Sequence, residues 1–221
     1  MATHVRQHNS ALAKSEKRVL IWIAGRLPSW VNSDHLSALG LSAMGCAGLS
    51  FYYARWNPAA GLVLVVLSLF ANWFGDSLDG TLARVRNQQR PRYGYYVDHV
   101  MDLAGTAMLF AGLAASGFIS PLVAALVVAA FFLVSAEAYL ATHARGVFNM
   151  AFLGVGPTEL RILLAIGALF IIDRPVVNAF GFGPVRLFDL GGVIGVFGMV
   201  TTFLVTSAHN VRALYTEEPI R

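Results

Sequence analysis

The stretch Gly75-Asp76-Ser77-Leu78-Asp79-Gly80-Thr81-Leu82-Ala83-Arg84, followed after nine residues by Gly94-Tyr95-Tyr96-Val97-Asp98-His99-Val100-Met101-Asp102, puts four carboxylates into 27 residues that lie between long apolar runs. On a helix, positions three apart are separated by about 60° of arc and positions four apart by about 40°, so Asp76 shares a face with Asp79, and Asp98 with Asp102. The intervening stretch, 85–93, is short. It predicts two antiparallel helices with all four carboxylates near the same end. Carboxylates this close together in an apolar setting cost several kcal/mol each unless a cation compensates them. A donor set of oxygens, without His or Cys at metal spacing, points to a hard ion, Mg²⁺ or Mn²⁺. Two ions about 3.5–4 Å apart would suit phosphoryl chemistry.

The surroundings of this stretch are those of a membrane protein. Of 221 residues, 57% are hydrophobic and 13% charged, and the mean hydropathy is +0.62, well above that of a soluble domain of this size. Six apolar stretches, at 35–54, 60–84, 94–117, 121–145, 158–173 and 188–212, are long enough to cross or nearly cross a bilayer. In lipid they must be helical, because only a helix or a closed barrel satisfies its own backbone there. Breaks fall at Arg55 to Pro58, Pro91, Ser120-Pro121, Gly154 to Pro157, and a Pro- and Gly-rich loop from Asp173 to Pro184. The expected fold is all-α and integral to the membrane, with six transmembrane helices over residues 31–221. It is preceded by a segment, 1–30, that carries an amphipathic juxtamembrane helix. In that helix Leu20, Ile21, Ile23 and Ala24 are expected to face lipid, and Lys14, Lys17 and Arg18 water and headgroups. The same region has the basic start of a signal peptide but no long apolar core or small-residue cleavage site, so it is expected to be retained.

Basic residues set the expected orientation. Lys14, Lys17, Arg18, Arg26, Arg84, Arg86, Arg90, Arg92, Arg145 and Arg212 collect at one set of ends, and Arg55, Arg174 and Arg186 at the other. The first set, with both termini and the 85–93 loop, is expected in the cytoplasm, in a bacterial-type inner membrane. The net charge of +4 lies in loops rather than along a helix. Membrane lipids are therefore expected partners, nucleic acid is not, and a homodimer is a further expectation. The one cysteine, Cys46, excludes a disulfide framework. Gly191, Gly192, Gly195 and Gly198 in the last apolar stretch would allow close helix packing.

Around the carboxylates, Gly80 and Ala83 would leave a flat surface for a nucleotide, Gly94 would do the same from the facing helix, and Arg84 would meet a phosphate or close the acidic cluster. A second polar group, Glu137, Tyr139, Thr142, His143 and Arg145 with Thr158, Glu159 and Arg161, collects at the cytoplasmic half of the fourth and fifth stretches. It is a candidate acceptor pocket, though Glu159 and Arg161 would equally serve as pairing partners between helices. No Gly-x-Ser-x-Gly elbow is present for nucleophilic catalysis.

The residues from Asp76 to Asp102 match D-x2-D-G-x2-A-R-x8/9-G-x3-D-x3-D at all eight fixed positions. The chain in this respect resembles the CDP-alcohol phosphotransferases. That resemblance implies that Asp76, Asp79 and Asp98 hold metal ions, that Asp102 is the general base, and that Gly80, Ala83, Arg84 and Gly94 line the CDP site. It implies transfer of a phosphoalcohol group from a CDP-alcohol lipid such as CDP-diacylglycerol to an alcohol acceptor, with release of CMP, in phospholipid synthesis. The chain departs from the family where many members have P-N-x-[IL]-[TS]-x-x-G. Here Ser33 to Gly40 reads SDHLSALG, and Asp34 would either cap the first span or contact substrate. A transporter of protons or divalent cations is the competing reading, because carboxylates within a membrane also mark ion paths. Such a path should cross the midplane, whereas these carboxylates gather at one end.

Overall fold

The computed structural model describes residues 13–146, 157–178 and 183–220; the side chains of 13–15, 157 and 159 lie outside the description. Seven helices follow in order: α1 (Ala13–Ala24), α2 (Ser33–Tyr53), α3 (Pro58–Val85), α4 (Pro91–Ser116), α5 (Pro121–Arg145), α6 (Pro157–Phe170) and α7 (Leu187–Glu217). The chain is an integral membrane protein. α2, α3, α4, α5 and α7 are each long and apolar enough to cross a membrane. α6 is shorter, with 14 residues, or roughly 21 Å at 1.5 Å per residue. The expected loop between α6 and α7 contains a two-stranded antiparallel ribbon, β1 (Val176–Asn178) on β2 (Pro184–Arg186). The break at Gly154 to Pro157 lies largely outside the described residues, as do residues 1–12.

Helix starts follow the sequence punctuation. Pro58, Pro91 and Pro121 occupy first-turn positions, where a missing N–H costs nothing. Asn57 caps α3 by accepting from the Ala60 amide at 3.2 Å. α2 is capped by Asn32, whose Oδ1 accepts the His35 amide at 2.9 Å while His35 Nδ1 accepts the Asn32 amide at 3.4 Å. Asp34 is therefore not the cap. It lies inside the first turn and forms an ion pair with Arg90 from the α3–α4 connection.

α2 packs against both α3 and α4, and small residues bring the backbones together. A Cβ at Gly75 would lie 2.5 Å from the Leu36 carbonyl oxygen, and one at Gly112 would lie 1.9 Å from that of Gly48. No side chain fits at either crossing. Beside the first crossing, Asn72 Nδ2 donates to the Gly40 carbonyl at 3.0 Å. At the end remote from the carboxylates, Phe51, Leu62, Val65, Leu69, Leu109 and Leu113 form a tightly buried core that Phe188 of α7 closes edge-on against Phe51.

α1 corrects an expectation. Leu20 and Ala24 are buried against Leu36, Leu78 and Leu82 of α2 and α3, and Ile23 packs partly against the same cluster. The outward apolar side chains are Val19, Ile21 and Trp22. A helix 12 residues long gains more by burying one apolar stripe on neighbouring helices than by facing that stripe to lipid. The α3–α4 connection holds this segment, because the Arg86 guanidinium donates to the carbonyls of Leu27, Pro28 and Val31. The glycines of α7 behave unequally. Gly192 meets Val123 of α5, while Gly191, Gly195 and Gly198 face no atom within 4 Å.

Candidate active site

α3 and α4 run antiparallel on either side of a short turn, and this brings their carboxylates together. One oxygen from each of Asp76, Asp98 and Asp102 lies within 4.8 Å of the others, and all three side chains are half-buried. Three carboxylate oxygens at this spacing fit a hard divalent cation. Asp79, one turn from Asp76, is gripped from α2: the Ser37 hydroxyl donates to its Oδ2 at 2.6 Å, and the Ser33 hydroxyl donates to its backbone carbonyl at 2.7 Å. The Gly80 amide also donates to Asp79 Oδ1. The Ser37 hydroxyl and the Gly80 amide thus aim the carboxylate. Neither serine was singled out in the sequence, although both lie four apart in the Ser33–Gly40 stretch that departs from the family pattern.

Arg161 of α6 reaches the cluster directly, with Nη2 2.5 Å from Asp76 Oδ2 and little of its side chain exposed. Arg84 Nη2 donates to the Thr81 hydroxyl at 3.0 Å, and Thr81 in turn donates to the Ser77 carbonyl. A Cβ at Gly80 would sit 3.4 Å from Arg84 Nη1, whereas one at Gly94 would meet nothing within 4 Å. Gly94 therefore leaves an open face on α4. On the α5 side, buried His99 stacks on Tyr139 with ring centres 4.9 Å apart and meets Tyr95 edge-on at 4.2 Å. His99 Nδ1 lies 3.6 Å from Asp98 Oδ2. An apolar neighbourhood in the sequence conceals this aromatic wall, because its members come from two helices.

The candidate acceptor residues divide. Arg161 joins the carboxylates, whereas Glu137 and Arg145 converge on Asn210 of α7: Asn210 Nδ2 donates to Glu137 Oε1, and Arg145 Nη1 donates to Asn210 Oδ1, both at 2.5 Å. Thr142 donates to the Ala138 carbonyl one turn back at 2.6 Å, and His143 is exposed. Thr158 donates to Glu16 of α1 at 3.1 Å. The side chain of Glu159 lies outside the described residues.

A bundle of helices long and apolar enough to cross a membrane, with a half-buried acidic cluster reached by an arginine, offers a seat for a divalent cation beside a fixed positive charge. The chain belongs to the CDP-alcohol phosphatidyltransferase family, whose pattern it matches over residues 34–204. Among solved structures it is similar to the Mycobacterium tuberculosis phosphatidylinositol phosphate synthase PgsA1, crystallised with CDP-DAG bound. The likeness covers 90% of this chain and 94% of that one, at 20% identity and a TM-score of 0.58, and speaks to the fold. No curated protein matches the chain. Membership of a transferase family leaves the ion-transport reading without support.

Proposed function

We propose that the enzyme transfers the phosphatidyl group of a lipid such as CDP-diacylglycerol to an alcohol acceptor and releases CMP, using Mg²⁺ or Mn²⁺. The observation that carries this reading is the convergence of Asp76, Asp98 and Asp102 from two helices, within 4.8 Å, at the spacing of the family signature. The donor and its chemistry come from family membership, and the CDP-DAG bound by PgsA1 agrees with a lipid donor.

Asp76, Asp79 and Asp98 would hold the ions, which when bound supply charge neutralisation at the pyrophosphate and at the departing CMP. Gly80, Ala83 and Gly94 leave room for the cytidine and ribose, and Arg84 offers its guanidinium to a phosphate. Asp102, one turn beyond Asp98, accepts the proton of the acceptor hydroxyl as its oxygen attacks the β-phosphorus. The P–O bond to CMP breaks as the new one forms, and CMP carries away the bonding pair. Arg161 stands beside Asp76, where its charge would attract an acceptor or steady the transferred phosphate. The site is expected to open to the cytoplasm, from the basic residues that flank it.

The test separates binding from chemistry. Asp102→Asn keeps the side-chain shape but cannot take a proton, so CDP affinity at saturating Mg²⁺ should persist while acceptor-dependent CMP release falls by about 100-fold or more. Near-normal turnover removes Asp102 as the base. Lost CDP binding moves it to the metal shell. A panel of alcohols assayed for CMP release then identifies the acceptor.

A further inference from the structure

Glu16 has no role in the chemistry above, yet it joins three helices through one atom. Its Oε1 accepts the Trp73 indole N–H of α3 at 2.7 Å and the Thr158 hydroxyl of α6 at 3.1 Å. Trp73 lies one turn from Asp76 on α3, and Thr158 one turn from Arg161 on α6. Near the site α6 is thus joined to α3 twice, directly through Arg161 and Asp76 and indirectly through Thr158, Glu16 and Trp73.

α6 has reason to need the second join. It has 14 residues, and Leu160, Ile162 and Leu163 near its start are exposed. A single ion pair to a long, flexible arginine fixes a distance but not the rotation of the helix that bears it. Two contacts on adjacent positions of one helical face fix both. Arg161 is presented to Asp76 only while the first turn of α6 keeps that rotation.

We propose that Glu16 is a positioning residue of the transfer site: its carboxylate oxygen, held by α1, sets the first turn of α6 and so delivers Arg161 to the carboxylate cluster. The proposal rests on the transferase reading given above. Both donors converge on a single oxygen, so the requirement is for that acceptor atom and not for the negative charge. Glutamine, with one carbonyl oxygen carrying two lone pairs, can accept both bonds. α1 thereby acts on the site through the first turn of α6.

The experiment compares Glu16→Gln, Glu16→Ala, Thr158→Val and the Glu16→Ala/Thr158→Val double variant in the full chain, in detergent or nanodiscs. CMP release from CDP-diacylglycerol across the alcohol panel is read beside CDP affinity by thermal shift. Glu16→Gln should stay within about twofold of wild type, because the shared acceptor oxygen survives. Glu16→Ala and Thr158→Val should each raise the acceptor KM by about tenfold, the size of one lost hydrogen bond, with CDP affinity unchanged. The double variant should be no worse than Glu16→Ala, since both changes cut the same tie. A Glu16→Gln defect equal to that of Glu16→Ala overturns the proposal, as does a loss of CDP affinity in step with the KM, or a double variant equal to the product of the singles. If Glu16→Ala does not fold, the contrast between Glu16→Gln and Thr158→Val decides. A wild-type chain that releases no CMP overturns the transferase reading and the proposal together, whereas an active wild type whose variants break the pattern overturns the proposal alone.

Discussion

Gly75 of α3 faces Leu36 of α2 so closely that a Cβ on the glycine would lie 2.5 Å from the leucine carbonyl oxygen and 2.7 Å from the Gly40 amide nitrogen. Both obstacles are backbone, so neither can swing aside. Gly75→Ala must part the two helices next to Asp76. The expected cost is about 1–3 kcal/mol, seen as a lower unfolding temperature, with weaker Mg²⁺-dependent CDP binding. Gly94→Ala is the contrast, because a methyl there meets no protein atom within 4 Å. It should unfold like wild type while losing CDP affinity, if the open face of α4 receives the nucleotide. Equal melting of the two variants would contradict the packing argument.

Ser37 offers a second test at the same crossing. Its hydroxyl donates to Asp79 Oδ2 at 2.6 Å, and a hydrogen bond to a charged acceptor contributes about 1.5–3 kcal/mol. Ser37→Ala should weaken Mg²⁺ binding measured by calorimetry by roughly tenfold or more, as loss of a group that orients a metal ligand does. An unchanged affinity would mean that Asp79 is aimed by the backbone alone or is not a ligand.

Asn210 separates structure from catalysis. Its amide serves Glu137 and Arg145 together, both at 2.5 Å, so Asn210→Leu strips two half-buried charged groups of their shared partner. Stability should fall by about 1–3 kcal/mol, the range for leaving hydrogen-bonding groups without their partner. CDP affinity in the fraction that remains folded should hold. Lost nucleotide binding in folded protein would instead tie Glu137 and Arg145 to the substrate site.

Orientation has its own test. In a Cys46→Ser background, a cysteine at Gln88, on the α3–α4 connection, should react with an impermeant thiol reagent only after the membrane is opened. Removing Cys46 matters because it is exposed in the structure. Labelling of intact cells would reverse the assigned sidedness.

The sequence disclosed the helices and the carboxylate pair for one reason, namely that both depend on local spacing. Apolar runs of about 20 residues and carboxylates three or four apart are visible without any tertiary information. What stayed hidden depends on contacts between distant positions. Ser37 to Asp79, Glu16 to Trp73 and Thr158, and Asn210 to Glu137 and Arg145 each join helices far apart in the chain. Of the two readings of Asp34, the cap is excluded for a related reason. Ser, Asp and Asn all favour a cap, and only the backbone shows that Asn32, with extended dihedrals, precedes the first turn. The polar residues of α5 share one end of one helix, but Glu137 and Arg145 turn to Asn210 of α7 while Tyr139 stacks on His99 of α4.

The α3–α4 turn sets how far the chemistry lies from the water. Asp76 is ten residues before Arg86, and Asp98 and Asp102 stand seven and eleven residues after Pro91, which puts the cluster roughly 10–16 Å along the helices from the turn at 1.5 Å per residue. That is about two to three helical turns from the connection. A lipid donor at this depth keeps its acyl chains in the leaflet and offers its pyrophosphate sideways between helices, so it never has to be lifted out. CMP, the water-soluble product, would travel the length of those last turns to leave. The turnover of such an enzyme should therefore scale with the mole fraction of donor in the bilayer rather than with its bulk concentration.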